Sequence, residues 1–485
     1  MKNDFKVIII GSGFGGQLAA INLNRRGISD YRLLERREFM GGTWAQNSYP
    51  GAAVDVPSPL YSLSFEPYDW TQLFADQAEL QHYTDHIIEK HGIRERTLTN
   101  ANVSHIAWNE ADRRWDIQLD DERHFSAQFV INATGPLSSP VIPDFPGKER
   151  FKGAAFHSNH WDHSVDYKDK RVAVIGSGAS AAQIIPAIAP DVEQLHVFQR
   201  TPHWVMPRHD HFFKSWQRAL LKHRWLYNTL RLLIYWWFEF RVVGLKYSDL
   251  ALKLLAKNKA EKHIRQQIQD PELQRKVTPD FTIGCKRVIL SDTLYPAYSR
   301  QNVTVYDKNY GIREITEKGI VSQDGIEHAL DIIVYCTGYD ATDGVISYPV
   351  IGREGKALSD VWRDYPRAYL GTTIPGFPNL FIVTGPNTGI GHTSALFIIE
   401  SQMFYIMQAL EAAGANGVIE VKAEAEARYT DLIHKEMAKT VWHRGGCNSW
   451  YKSKSGKVIA MFPGFSFTYR RWTRDFKPQD HLFEV

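Results

Sequence analysis

A short apolar strand, a glycine-rich turn, a helix and a second strand occur twice in this chain, with the same spacing both times. In the first copy KVIII runs into Gly11-Ser12-Gly13-Phe14-Gly15-Gly16, then a helical stretch, then YRLLE ending at Glu35. In the second, RVAVI runs into Gly176-Ser177-Gly178-Ala179-Ser180-Ala181, then a helical stretch, then QLHVFQR ending at Arg200. Glu35 lies 24 residues beyond Gly11, and Arg200 lies 24 beyond Gly176. Glycines in such a turn permit the tight bend, let a pyrophosphate approach the backbone, and let the helix pack on its strand. The helix N-terminus behind the turn favours an anion. Gly11, Gly13 and Gly16, and then Gly176 and Gly178, are the candidate pyrophosphate-binding positions.

The two copies end differently. An acid suits a free ribose 2′-hydroxyl, whereas an arginine suits a 2′-phosphate. The first unit therefore reads as an FAD site and the second as an NADPH site, which implies electron transfer between them. The fold class is α/β, with two interleaved Rossmann-like dinucleotide-binding domains and a helical insertion.

Three further apolar runs end in Thr-Gly: FVINATG at 129–135, DIIVYCTG at 331–338 and LFIVTG at 380–385. They read as returning strands of the two domains. The expected division is 1–145 and 370–485 for FAD, and 146–210 and 276–369 for NADPH. Residues 211–275 are expected to form an all-helical insertion.

At 485 residues the chain is long enough for several cores. A net charge of only +3, with no basic tail or finger pattern, argues against nucleic acid. The opening strand shows no cleavage signal and is too short to span a bilayer. Residues 225–245 are rich in aromatics but interrupted by Arg231, Glu239 and Arg241. A buried or substrate-facing helix is the expectation there, with peripheral membrane contact as the alternative. Cys285, Cys336 and Cys447 are far apart and suggest neither a metal cluster nor a disulfide framework. That spacing fits a reducing compartment, hence a cytoplasmic location.

Two dinucleotide sites leave open which chemistry follows. A disulfide reductase needs a close cysteine pair beside the flavin, and there is none in the sequence. An oxygenase needs no redox side chain, because reduced flavin itself reacts with oxygen. It does need a positive group facing a water-poor pocket. Lys286 and Arg287, in GCKRVIL, are candidates.

The stretch FKGAAFHSNHWD at 151–162 fits the pattern FxGxxxHxxxW followed by Asp, through Phe151, Gly153, His157, Trp161 and Asp162. A second pattern is met by Gly42, Trp44, Tyr49, Pro50, Gly51 and Asp55. With these, and with FQRTPHWVMP at 198–207 and GPNTGIGHTS at 385–394, nearly the whole chain resembles the Baeyer–Villiger monooxygenases among the class B flavoprotein monooxygenases.

The resemblance implies that Arg287 is the arginine that stabilises a C4a-peroxyflavin and then the ketone adduct, with Asp55 as its carboxylate partner. It implies that Arg200, Thr201 and Lys286 hold the NADPH 2′-phosphate, and that Thr43, Trp44, Asp55 and Asn387 contact cofactor. His157 is implied to couple the domains rather than to move protons. The implied reaction uses NADPH and O2 to convert a hydrophobic ketone to an ester or lactone. The alternative is an N- or S-oxygenating flavin monooxygenase, and a more distant one is a reductase without oxygenation. Trp450, Phe462, Phe465, Phe467 and Tyr469 suit either an apolar cavity or the core.

Overall fold

The computed structural model describes residues 2–340 and 346–484. Strand Asp4–Ile10 sits at the centre of the first sheet, pairing in parallel with Tyr31–Leu34 on one side and His124–Asn132 on the other. These strands are apolar on both faces, as a parallel sheet covered by helices requires. Helix Phe14–Arg25 covers one face. Leu380–Ile382 returns 248 residues after His124–Asn132 has ended, and pairs with it in parallel. The sheet is therefore completed only by the far end of the chain.

The second sheet is all-parallel, in the order Val303–Tyr306, Gln194–Phe198, Arg171–Ile175, Ile332–Tyr335, Ala154–His157. Two of the Thr-Gly strands thus belong to the first sheet and one to the second, and the two domains are interleaved. Val350–Ile351 already pair with Ile106–Ala107 of the first sheet. The chain is back in that sheet before residue 370, the boundary expected from sequence.

Between the halves of the second domain, residues 211–275 fold as helices, chiefly Ser215–Leu221, Arg224–Glu239 and Asn258–Gln267. The insertion is closed at its base by a short parallel ladder of Val205–Met206 with Ile289–Leu290. Trp204 donates its indole N–H to the Phe281 carbonyl at 2.9 Å. These ties fix the segment 281–290, which carries Lys286 and Arg287. Among the described residues no helix is long and apolar enough to cross a membrane.

Candidate active site

The first glycine turn is dictated by close backbone approach. Gly11 has φ +103°, and a Cβ there would lie 2.6 Å from the Ala133 carbonyl oxygen. A Cβ on Gly16 would fall 1.9 Å from the Gly11 carbonyl oxygen, so no side chain fits at that position of the turn. Beyond the next strand Glu35 is buried and accepts from the Ser12 N–H at 3.0 Å and the Ser12 hydroxyl at 2.6 Å. Gly11, Gly13, Glu35, Thr43 and Trp44 line one groove of about 240 Å³.

The second turn repeats the logic. A Cβ on Gly176 (φ +133°) would meet the Cys336 carbonyl oxygen at 2.2 Å, while one on Gly178 would meet nothing within 4 Å. Ser177 Oγ donates to the Thr201 carbonyl at 2.6 Å. Gly176, Gly178, Arg200 and Thr201 follow the carboxyl ends of neighbouring parallel strands. Burial, together with the nearby Arg200 charge, lowers the Lys286 ammonium below its ordinary range. Burial beside Lys286 also pushes His203 down to about 4. Arg200 and Lys286 thus lie close enough for their charges to repel.

Arg287 and Asp55 form an ion pair across the two domains through Nη2 and Oδ1. The pair lines a cavity of about 1020 Å³ whose other walls are mostly apolar. Arg287 is surrounded by protein, yet its side chain is 49% exposed because it faces this cavity. The Asp55 carboxylate holds the guanidinium above its ordinary range, against the opposing effect of burial. Burial pushes the neighbouring hydroxyls of Tyr61 and Tyr451 up to about 12, so both stay neutral. Pro136, Leu137, Thr384 and Ala395 line both the cavity and the dinucleotide groove, which therefore abut.

Residues 151–162 connect these parts. Gly153 admits no side chain, since a Cβ would lie 2.3 Å from the Asp331 carbonyl oxygen. Buried His157 accepts the Asn159 N–H on Nδ1 at 3.0 Å, which requires a neutral ring, and burial pushes it down to about 4. Asn159 then reaches the other domain: its carbonyl accepts from Gln46 Nε2 at 2.5 Å and its amide donates to Asn47 Oδ1 at 3.3 Å. Gly51, with φ +79°, packs so closely that a Cβ would be 2.6 Å from the Gln183 carbonyl oxygen of the second domain. Both long patterns in the sequence are thus interdomain joints.

A family model described as flavin-binding monooxygenase-like matches residues 66–360, and one described as an NAD(P)-binding Rossmann-like domain matches 9–78. A Baeyer–Villiger monooxygenase of Pseudomonas aeruginosa is 43% identical over 476 residues, covering 97% of this chain and 90% of that protein. The chain belongs to the Baeyer–Villiger monooxygenase family. A second such protein, from Streptomyces coelicolor, is 41% identical over 97% of this chain and 91% of its own length. Among solved structures, closed cyclohexanone monooxygenase superposes with a TM-score of 0.90 at 27% identity over all of both chains. A steroid monooxygenase bound to NADP gives 0.88 at 29% identity over 99% of both.

One expectation is overturned in this Baeyer–Villiger monooxygenase, and two other readings gain detail. Cys285 and Cys447 are joined by a disulfide with their Cα atoms 6.1 Å apart, so the cysteines are not all free. The bridge ties the residue preceding Lys286 to the C-terminal segment that brings Trp450 and Tyr451 to the cavity. Asn387 does not line either cavity: its amide donates to the Val458 and Met461 carbonyls at 3.1 and 3.0 Å, and it holds a loop. Of the C-terminal aromatics, Trp450 lines the cavity, whereas Phe462 and Tyr469 are core.

One pair went unnoticed in the sequence. His392 lines the cavity and places Nε2 3.5 Å from Oε2 of buried Glu239. Burial alone would raise the Glu239 carboxyl, but the adjacent His392 and the hydrogen bond from the Ser466 N–H hold it below the ordinary range.

Proposed function

We propose that the chain inserts one atom of O2 into a hydrophobic ketone to give an ester or lactone, with the second atom leaving as water and NADPH supplying two electrons. The observation that carries this is the Arg287–Asp55 pair in the wall of a large apolar cavity that abuts the first dinucleotide groove. The groove fits FAD. Gly42 approaches Gly13 so closely that a Cβ would lie 2.7 Å from the Gly13 Cα, which keeps side chains out of the turn beside the groove. Glu35 stands where a ribose hydroxyl is expected, and Thr43 and Trp44 form a wall. Bound FAD, reduced by NADPH, supplies the dioxygen chemistry.

Everything else asked of the chain is positional and electrostatic. Arg287 holds a fixed charge where an anionic oxygen needs stabilising, in an apolar cavity that strengthens the interaction. Asp55 orients the guanidinium, leaving its remaining N–H groups to the cavity. Arg200, Thr201 and Lys286 suit the 2′-phosphate of NADPH, whose charge relieves the repulsion between the two cations. His157, neutral and enclosed, serves the joint between domains and moves no proton. Dependence on NADPH favours a cytoplasmic location, whereas the Cys285–Cys447 disulfide counts against a reducing compartment and removes the support that the cysteine spacing gave.

The test is Arg287→Ala in FAD-loaded protein. NADPH-driven flavin reduction is expected to persist while ester formation falls by about 10²–10³-fold, the cost of losing one such electrostatic group. Undiminished ester formation in the variant would remove Arg287 from the reaction. Oxygenation of amines or thioethers by the wild type, with no ketone turned over, would select the N- or S-oxygenating alternative.

A further inference from the structure

We propose that the helical insertion docks on an anionic lipid surface and opens the cavity toward the membrane. Helix Arg224–Glu239 is amphipathic in the wrong sense for water. Its inner face is well anchored: the Tyr227 hydroxyl lies 3.1 Å from both Ser62 Oγ and Trp70 Nε1, and Tyr235 stacks on Phe397. Arg231 and Glu239, which interrupt the apolar run in sequence, are turned inward to Pro59 and Ser466 respectively. The opposite face presents Trp225, Leu232, Leu233, Trp236, Trp237 and Phe240, all exposed at helical spacing. Trp225, Leu233 and Trp237 are 69%, 64% and 63% exposed. Leu250 and Leu254, on the following turns, are exposed as well. A continuous apolar face of this kind marks an interaction site.

Charge decides the occupant. Within residues 214–262 eight Lys and Arg are exposed against Asp249 and a half-buried Glu261, while Arg231, Lys246 and Glu239 are turned into the protein. Arg224 precedes the aromatic stripe, and exposed Lys253 and Lys257 flank Leu254. A second copy of the chain would set one such positive surface against another. Anionic headgroups complement it, with Trp and Leu reaching the acyl boundary between them.

The patch is also the cavity mouth. Leu233, Trp237, Phe240 and Leu255 are exposed and at the same time line the 1020 Å³ cavity that holds Arg287 and Asp55. Docking on this face would let a ketone dissolved in the bilayer enter without crossing water. This delivery step rests on the ketone-oxygenating function proposed above, whereas the docking itself does not.

The test uses full-length, FAD-loaded protein and vesicles of phosphatidylcholine alone or with one-third phosphatidylglycerol, read by co-sedimentation. Binding is expected to the anionic vesicles, to weaken with salt, and to be slight on phosphatidylcholine. Lys253→Gln with Lys257→Gln is expected to lower the partition coefficient about 20- to 30-fold, roughly fivefold per cation. Trp225→Gln with Leu232→Gln, at positions outside the cavity, is expected to abolish binding with the melting temperature unchanged. No binding to anionic vesicles would overturn the proposal, as would self-association that the same Trp225 and Leu232 substitutions disrupt. Turnover of a long-chain ketone is expected to rise with anionic vesicles while that of a water-soluble ketone does not. Vesicle binding without that rise would overturn the delivery step. Vesicle binding with no ketone turned over under any condition would sink the proposed reaction and leave the docking surface standing.

Discussion

Protonation of His157 should loosen the joint between the domains. Its Nδ1 accepts the Asn159 N–H, an arrangement only a neutral ring can make, and burial holds it at about 4. An unfolded chain protonates the same ring near pH 6.5. The folded value is depressed for a base, so the folded state binds fewer protons than the unfolded state between those limits. Stability is therefore full above pH 6.5, falls as the pH drops toward 4, and levels off below. The whole difference corresponds to about 3 kcal/mol, of which about 2 kcal/mol is lost between pH 7.5 and 5. For a cooperative unit of about 150–250 residues that is roughly 4–8 °C of melting temperature.

His196 and His203 are also pushed down to about 4, so the wild type alone does not isolate the contribution. The informative comparison is His157→Asn, whose carbonyl oxygen can still accept from Asn159 but cannot be protonated. Melting of FAD-loaded protein at pH 7.5 and 5 should show a drop smaller in the variant than in the wild type by roughly that amount. An equal drop in both proteins would refute the assignment of a neutral, structural His157.

Other consequences can be checked directly. Titration of denatured, unreduced protein should find one thiol per chain, that of Cys336, and three would disprove the Cys285–Cys447 bridge. Because the bridge closes a span of 162 residues, chain entropy predicts that reducing it costs about 5 kcal/mol, visible as a lower melting temperature. Gly51→Ala forces a side chain into a left-handed backbone and against the Gln183 carbonyl, and should cost about 1–3 kcal/mol from backbone strain alone. Asp55→Asn keeps a hydrogen-bond acceptor but removes the charge that raises Arg287, and should lower ester formation while leaving flavin reduction intact. A variant with unchanged product yield would show that Arg287 needs no carboxylate partner.

Much of the fold was legible because its signals are local. Each strand–turn–helix–strand unit fits within about thirty residues, and the final acid or base sits at the end of a strand where its partner is predictable. The pairing of Arg287 with Asp55, 232 residues apart, was reachable only through family resemblance. Nothing short-range marks the Cys285–Cys447 bridge or the Glu239–His392 contact, since both depend on how the C-terminal half closes over the insertion. The side-chain contacts of Asn387 were likewise out of reach: its neighbours in the loop line the cavity, but its own amide turns to the carbonyls of Val458 and Met461. The helix at 224–239 carries the general lesson. Periodicity reveals that a helix has an apolar face, but not whether the core lies on that side. Here the polar interruptions, Arg231 and Glu239, went inward to specific partners, and the aromatic stripe went out.

The most direct test of the central claim is an isotope experiment. FAD-loaded protein is given NADPH and ¹⁸O2 with linear, cyclic and aryl ketones, and products are read by mass spectrometry. The account predicts an ester or lactone carrying one ¹⁸O, formed with equimolar NADPH consumption. NADPH consumption with hydrogen peroxide as the sole oxygen product from every ketone would contradict it.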